Sequence, residues 1–316
     1  MPNTIRASVV QTCTVSYSLS DTLDKFENLT KLAKERDDSQ LVVFPEAFIG
    51  GYPKLSTFGC RVGDRTAEGR DEFLRYHKSA IEIPSPAISR IEAVSKETGV
   101  FVVMGIIERD GGTLYCTAIF VDPGQGLIGK HRKLVPTGAE RLIWGFGDGT
   151  TLPVLDKVFT SSTEPDKAVT TKISATICWE NYMPLLRTYY YSQGTQIYCA
   201  PTVDHRPNWA NSMVHIALEG RCFVLSACQF ATEKDYPEDH AVADANSRSP
   251  DNVMINGGSM IVSPLGTVLA GPSRKAEDIL TAELDLDDVV RGKFDLDSVG
   301  HYARPDVFKL TANTSG

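Results

Sequence analysis

Between residues 172 and 194 the hydrophobic period changes from two to that of a helix, with a cysteine at the corner, and this restricts the fold more than any other stretch. Lys172, Ile173, Ser174, Ala175, Thr176 and Ile177 alternate polar and apolar, the pattern of a half-buried strand. From Pro184 a helical segment runs through Gln193 and is closed by Gly194, with proline at its start and glycine past its end. Cys178 therefore stands at a strand-to-helix corner, where a side chain is presented to a cleft and a nearby helix start favours the thiolate. A cysteine is more often a small buried hydrophobe, and the chain has seven. What sets Cys178 apart from Cys13, Cys60, Cys116, Cys199, Cys222 and Cys228 is that two other segments supply a carboxylate and an ammonium in comparable settings.

The first is Leu41-Val42-Val43-Phe44-Pro45-Glu46. Its unbroken apolar run reads as a strand buried on both faces, and Pro45, which cannot donate to a ladder, ends the pairing. Glu46 then enters the apolar, glycine-rich stretch Ala47-Phe48-Ile49-Gly50-Gly51-Tyr52-Pro53. It is either a solvated residue opening a loop or a desolvated carboxylate with a raised pKa, suited to general acid/base work. The second segment, 126–137, follows the turn Asp122-Pro123-Gly124, so residues 117–121 and 127–133 read as a hairpin. Strand alternation places His131 and Lys133 on one side and Lys130 and Arg132 on the other. A basic run of this kind is commonly a solvated face, but one of the two pairs can point inward.

Elsewhere strands and helices alternate. Residues 5–10 read as a strand, and Ser20 as the cap of a helix running to about Arg36. Helices follow over 69–80 and 87–98, the second stopped by Gly99, then a buried strand over 101–107. Strand 196–200, helix 208–219, strand 223–227, a hairpin of 260–263 with 267–270, and strand 280–284 complete the set. The charged stretch 234–252, with two prolines, reads as a surface loop. This order suits two sheets packed face to face with helices outside, in one domain.

A net charge of −8 argues against a general nucleic-acid binder. There is no apolar run of membrane-spanning length, and the start Met1-Pro2-Asn3-Thr4-Ile5 lacks the form of a signal peptide. The cysteines, odd in number and scattered, read as reduced, so the expected location is the cytoplasm. The six histidines form no His-Glu-x-x-His, no Cys-x-x-Cys is present, and neither metal nor cofactor is expected.

Glu46, Lys133 and Cys178 in that order, each at a strand end, resemble the Glu-Lys-Cys triad of the nitrilase superfamily of carbon–nitrogen hydrolases, over residues 5 to about 310. Likeness to its true nitrilase branch is carried by five stretches: 58–65, 131–141, 144–149, 178–187 and 300–308, read as FGCRVGDR, HRKLVPTGAER, WGFGDG, CWENYMPLLR and GHYARPDVF. The resemblance implies an α/β fold, the four-layer αββα sandwich, in a single domain over 1–310. It implies a C-terminal tail from about 285, of which the part beginning at 295–300 crosses to a partner subunit, a short flexible end at 311–316, and a homodimer or larger homo-oligomer. Glu140 matches a second family glutamate that positions Lys133 and a water. Tyr52, His131, Trp179 and Thr202 are candidates for the substrate site, with Trp209 beside them, although aromatics at such positions are more often core. For His131 the alternative is a hydrogen-bonded strand residue. Glu180 and Asn181 read as helix caps rather than substrate contacts.

The activity implied is hydrolysis of a small-molecule nitrile with water to the carboxylic acid and ammonia, through a thioimidate and a thioester on Cys178. Lys133 and the Trp179 backbone N–H would stabilise developing charge. The alternatives are an amidase of the same fold and a cyanide- or hydroxynitrile-processing variant that releases amide. A papain-like hydrolase lacks its local signature here, and a non-catalytic scaffold would have lost the triad.

Overall fold

The computed structural model describes residues 3–315. Twelve strands form two six-stranded sheets. They are β1 (Thr4–Gln11), β2 (Leu41–Val43), β3 (Phe101–Asp110), β4 (Thr113–Asp122), β5 (Gly126–Arg132), β6 (Leu155–Thr160), β7 (Ala168–Ala175), β8 (Ile197–Cys199), β9 (Phe223–Ser226), β10 (Met260–Val262), β11 (Val268–Ala270) and β12 (Asp278–Asp285). The first sheet runs β12-β1-β2-β3-β4-β5, with β1, β2 and β3 parallel. The second runs β11-β10-β9-β8-β7-β6, with β7, β8 and β9 parallel. The helices are α1 (Leu19–Asp37), α2 (Ala67–Ser79), α3 (Pro86–Thr98), α4 (Pro184–Ser192), α5 (Pro207–Gly220) and α6 (Asp287–Asp295).

Residue parity along the strands separates the layers. Leu41, Val43, Phe101 and Val103 pack with Ile173, Ala175, Ile197, Cys199, Phe223 and Leu225 of the other sheet. Their neighbours Val42, Val102 and Met104 turn the opposite way, to Leu23 and Phe26 of α1 and Ile88 and Ile91 of α3. On the second sheet Tyr198 and Val224 lie against Leu186 and Tyr190 of α4 and Trp209, Met213 and Ile216 of α5. The result is helix, sheet, sheet, helix. Each fully buried side chain such as Phe26 contributes about 1.5–3 kcal/mol through burial.

Several boundaries differ from the sequence reading. Helix α1 is capped by Ser18, whose hydroxyl accepts from the Asp21 N–H, while Ser20 already lies within the first turn. Strand β6, unrecognised in the sequence, reads Leu-Asp-Lys-Val-Phe-Thr and carries its charges because it is the edge of its sheet. Two further two-stranded ribbons, Cys60–Arg61 with Asp64–Arg65 and Phe230–Thr232 with Val253–Asn256, were too short to show periodicity. Where a tail was expected the chain first forms α6, seated through Val289 and Gly292. Trp209 is core, with its indole N–H donated to Ser226 Oγ at 2.9 Å. Among the described residues no helix is long and apolar enough to cross a membrane.

The segment after β2 runs on beside β3 in irregular pairing. Phe44 N–H donates to Val103 O, Gly105 N–H to Pro45 O, and Ile49 N–H to Gly105 O. Glu46 sits in the middle of this run, and the backbone turns through a left-handed conformation at Ala47 (φ 51°). Gly105 makes the close approach possible: a Cβ there would collide with Pro45 O and lie 2.5 Å from Glu46 Cα. Gly105→Ala is therefore expected to lower stability by about 1–3 kcal/mol, the usual cost of overpacking. Urea unfolding measures this, and a cost near zero would show that the segment carrying Glu46 yields freely.

Candidate active site

Three strand ends meet at one point. Glu46 follows β2, Lys133 follows β5 directly, and Cys178 follows β7 after Thr176 and Ile177. Cys178 opens a short 3-10 turn, Cys178–Tyr182, which precedes α4. Its backbone is left-handed (φ 52°), an arrangement that costs of order 1–3 kcal/mol for a residue other than glycine and recurs at functional sites. Its N–H is held by Pro201 O at 2.9 Å.

Lys133 lies entirely inside the protein. Its Nζ donates to Glu46 Oε1 at 2.7 Å and to Glu140 Oε2 at 2.8 Å, and its side chain is 0% exposed. Glu46 is equally buried. Its Oε2 accepts the Val203 N–H at 3.1 Å, and the Cys116 thiol approaches Oε1 at 3.6 Å. Its backbone carbonyl accepts from Gln229 Nε2 at 2.7 Å. Glu140 is held in turn by the Thr137 N–H (2.7 Å) and the Tyr52 hydroxyl (2.9 Å). The Cys178 sulfur accepts from Thr202 Oγ1 at 3.2 Å.

The charges follow from burial and pairing. Burial pushes the Glu46 carboxyl above its ordinary 4.5, while the Lys133 ammonium and a hydrogen bond from the Cys178 thiol pull the other way. Burial also works against the Lys133 ammonium, but the surrounding acidic groups, Glu46 first, outweigh it and keep the lysine charged. The Cys178 thiol is pushed up by burial and then by Glu46, with Lys133 opposing. At rest the site holds the Cys178 thiol beside the Glu46 carboxyl group.

A cleft of about 220 Å³ opens onto Cys178. Tyr52, Lys54, Thr137, Glu140, Trp179 and the run from Val203 to Arg206 line it. Trp179 is anchored by its indole N–H to Asp204 Oδ2 at 2.8 Å and lies under the Arg206 guanidinium, 4.7 Å from the ring centre. A larger groove of about 770 Å³ lies between α4 and the C-terminal segment and includes none of the Glu46, Lys133, Cys178 and Glu140 group.

Of the residues singled out in the sequence, Glu46, Lys133, Glu140 and Cys178 come together, and Tyr52 and Trp179 line the cleft. Thr202 is buried behind the sulfur rather than in the cleft wall. His131 does not reach the cleft: it is 0% exposed, with Nδ1 on Thr151 O and Nε2 on Glu180 Oε2. It follows the strand alternation, but into the body of the protein. Glu180 does not contact the cleft and caps the turn through the Ile177 N–H. Cys116, Val203, Asp204, His205, Arg206 and Gln229 were not singled out. The run Pro201-Thr202-Val203-Asp204 follows β8 as Glu46 follows β2, so the same strand-end logic applies to it. Among the described residues no cluster of three or more His, Cys, Asp or Glu side chains is arranged to hold a metal.

Residues 6–294 match the carbon-nitrogen hydrolase family. The chain is 74% identical over 310 residues to an arylacetonitrilase of Trametes versicolor, covering 98% of this chain and 97% of that protein. It is 53% identical over 309 residues to a bifunctional nitrilase/nitrile hydratase of Nicotiana tabacum, covering 97% of this chain and 85% of that one. An amidase from Nesterenkonia sp. superposes with a TM-score of 0.64 at 18% identity, covering 92% of this chain and 94% of that chain, and shares the fold.

With Glu46 beside the Cys178 thiol, alkylation of Cys178 is expected to depend on Glu46. Because the Glu46 carboxyl is raised, it becomes protonated at a higher pH than an ordinary carboxyl. The rate with iodoacetamide is expected to fall on acidification with a midpoint above 4.5, and to drop at least about tenfold in Glu46→Gln. Mass-spectrometric timing of Cys178 modification reads both; an unchanged rate in Glu46→Gln removes Glu46 as the base.

Proposed function

The chain belongs to the carbon–nitrogen hydrolase family, and we propose that it is a nitrilase, hydrolysing arylacetonitriles to the carboxylic acid and ammonia. The observation that carries this reading is the buried Lys133 ammonium between Glu46 and Glu140, beside the Cys178 sulfur at the floor of a cleft. The arylacetonitrile preference rests on the relative of that name at 74% identity and on the aromatic wall that Trp179 and Tyr52 give the cleft.

A nitrile carbon is electrophilic but carries no leaving group, so the reaction divides into covalent stages. Cys178 Sγ adds to the nitrile carbon as its proton passes to Glu46 and on to the nitrile nitrogen, forming a thioimidate. A water that gives its proton to Glu46 adds to the same carbon. That proton passes to nitrogen, leaving a tetrahedral centre that carries a hydroxyl and an amino group. The hydroxyl proton then passes through Glu46 to nitrogen, and ammonia leaves as the C–N bond breaks and the carbonyl of the thioester forms. A second water, activated in the same way, releases the acid and returns the thiol. Two waters are consumed for each nitrile. A raised carboxyl suits this work, since Glu46 must both take and return protons.

Lysine has three N–H donors. Two are taken by Glu46 and Glu140, and the third is available to charge developing on the substrate. Glu140, fixed by Tyr52 and Thr137, orients Lys133 and the incoming water. A homodimer is part of this reading, supported by the exposed apolar side chains Leu185, Tyr302 and Phe308 around α4 and the C-terminal segment. A reducing, intracellular location is supported by the seven unpaired cysteines.

Purified protein given arylacetonitriles, aliphatic nitriles and the matching amides is expected to release ammonia and acid from the nitriles, fastest from arylacetonitriles, with little amide turnover. Cys178→Ala should be inactive. Preferred amide turnover would make the enzyme an amidase of this fold, and amide as the main product would place it with nitrile hydratase activity. Removing a charge-stabilising donor commonly costs on the order of a hundredfold or more. Lys133→Met is therefore expected to lower kcat/KM for arylacetonitriles by at least about a hundredfold, measured by ammonia release; retained activity would exclude Lys133 from the charge-stabilising role.

A further inference from the structure

His131 and Glu180 form a second buried ion pair behind the cleft, and neither is used by the chemistry above. Both are closed to solvent, and their contact, His131 Nε2 to Glu180 Oε2, is 2.8 Å. The ring's other nitrogen, Nδ1, lies 2.7 Å from the Thr151 carbonyl, which only accepts, so Nδ1 carries a proton. Nε2 meets a carboxylate that already accepts two backbone N–H groups, from Leu134 at 2.7 Å and Ile177 at 2.8 Å. Those donors hold the carboxylate ionised, so Nε2 is a donor as well and the ring is an imidazolium. Burial opposes this charge, but Glu180 outweighs it, and the same pairing holds the Glu180 carboxyl below its usual range.

The sequence positions give the pair its significance. His131 is two residues before Lys133, and Leu134 directly follows it; Glu180 is two residues after Cys178, and Ile177 directly precedes it. One carboxylate thus holds both flanks of the lysine and the approach to the cysteine. We propose that His131 and Glu180 are positioning residues, a buried imidazolium–carboxylate clamp that locks the strand end bearing Lys133 to the turn bearing Cys178. The clamp acts at long range in sequence and touches no substrate. Misplacement of a reacting group by about 1 Å costs on the order of a hundredfold in rate, so loosening the clamp is expected to act on kcat.

Two measurements test it, the kinetic one resting on the nitrilase reading and the spectroscopic one not. In full-length protein labelled with 15N-histidine, one of the six rings should keep both N–H protons at a pH above the ordinary imidazole value of 6.5. That signal should vanish in His131→Gln; a His131 ring with an unprotonated nitrogen there overturns the clamp. In kinetics on phenylacetonitrile, His131→Leu is expected to lower kcat by about a hundredfold while KM stays within about threefold. His131→Gln, whose amide still donates to Glu180, should recover about tenfold of that loss. Glu180→Gln, which keeps one acceptor oxygen, should show the same split between kcat and KM and serves if His131→Leu does not fold. An unchanged kcat in a folded variant, or a loss seen only in KM, overturns the proposal. Should the wild-type enzyme turn over no nitrile, the nitrilase reading fails and the ring spectrum alone decides the clamp.

Discussion

The ammonium of Lys133, enclosed between two carboxylates, is the interaction to which the rest of the molecule is accommodated. Removing an ion from water costs several kcal/mol even after relaxation, and only close, well-oriented partners offset it. Glu46 and Glu140 are those partners, and each is itself held by further donors: the Val203 N–H on one, the Tyr52 hydroxyl and Thr137 N–H on the other. Such a cluster is stable only when complete. Strands far apart in sequence must therefore end at the same place, and the close approach at Gly105 serves that requirement.

Two face-to-face sheets supply the meeting point. Parallel strands β1–β3 and β7–β9 bring the segments that follow β2, β7 and β8 to one end of the sandwich, where the irregular backbone begins. The core below is apolar on both inner faces and close-packed, so it yields little under load. Against this rigid base the left-handed backbone at Ala47 and Cys178 is tolerated because neighbouring hydrogen bonds over-determine it. Burial keeps the Cys178 thiol protonated, so in the proposed mechanism nucleophilicity arises from the pair with Glu46 and not from the thiol alone.

Most of the candidate catalytic group is legible in the sequence because strand ends have local signatures. A proline after an apolar run marks Glu46, a hairpin turn sets the parity of Lys133, and a change of period marks Cys178. Parity also explains the principal misreading. It states that His131 shares a side with Lys133, but not that the cleft stops short of it, since that depends on Glu180, 49 residues away. Thr202 was recognised by type yet lies behind the sulfur, because a buried hydroxyl and a cleft hydroxyl have the same local sequence. Strand β6 was hidden by the charges that an edge strand carries, and α6 by its brevity and the few side chains it buries. His205 and Arg206 belong to a loop whose path is settled by contacts such as the Asn256 N–H to His205 Nδ1 and Arg274 to His205 O. No local pattern announces these.

The cleft wall comes from loops, whereas the reacting groups stand at the strand ends beneath them. Tyr52 and Lys54, Thr137, and the run from Val203 to Arg206 belong to three separate connections, each leaving a different strand. For directed evolution this separates two sets of positions. Lys54, His205 and Arg206 can be varied in combination to reshape the entrance without entering the hydrogen-bond set of Lys133. Tyr52 stands in both sets through its bond to Glu140, so a library that varies it disturbs the hydrogen-bond set of Lys133 as well as the entrance.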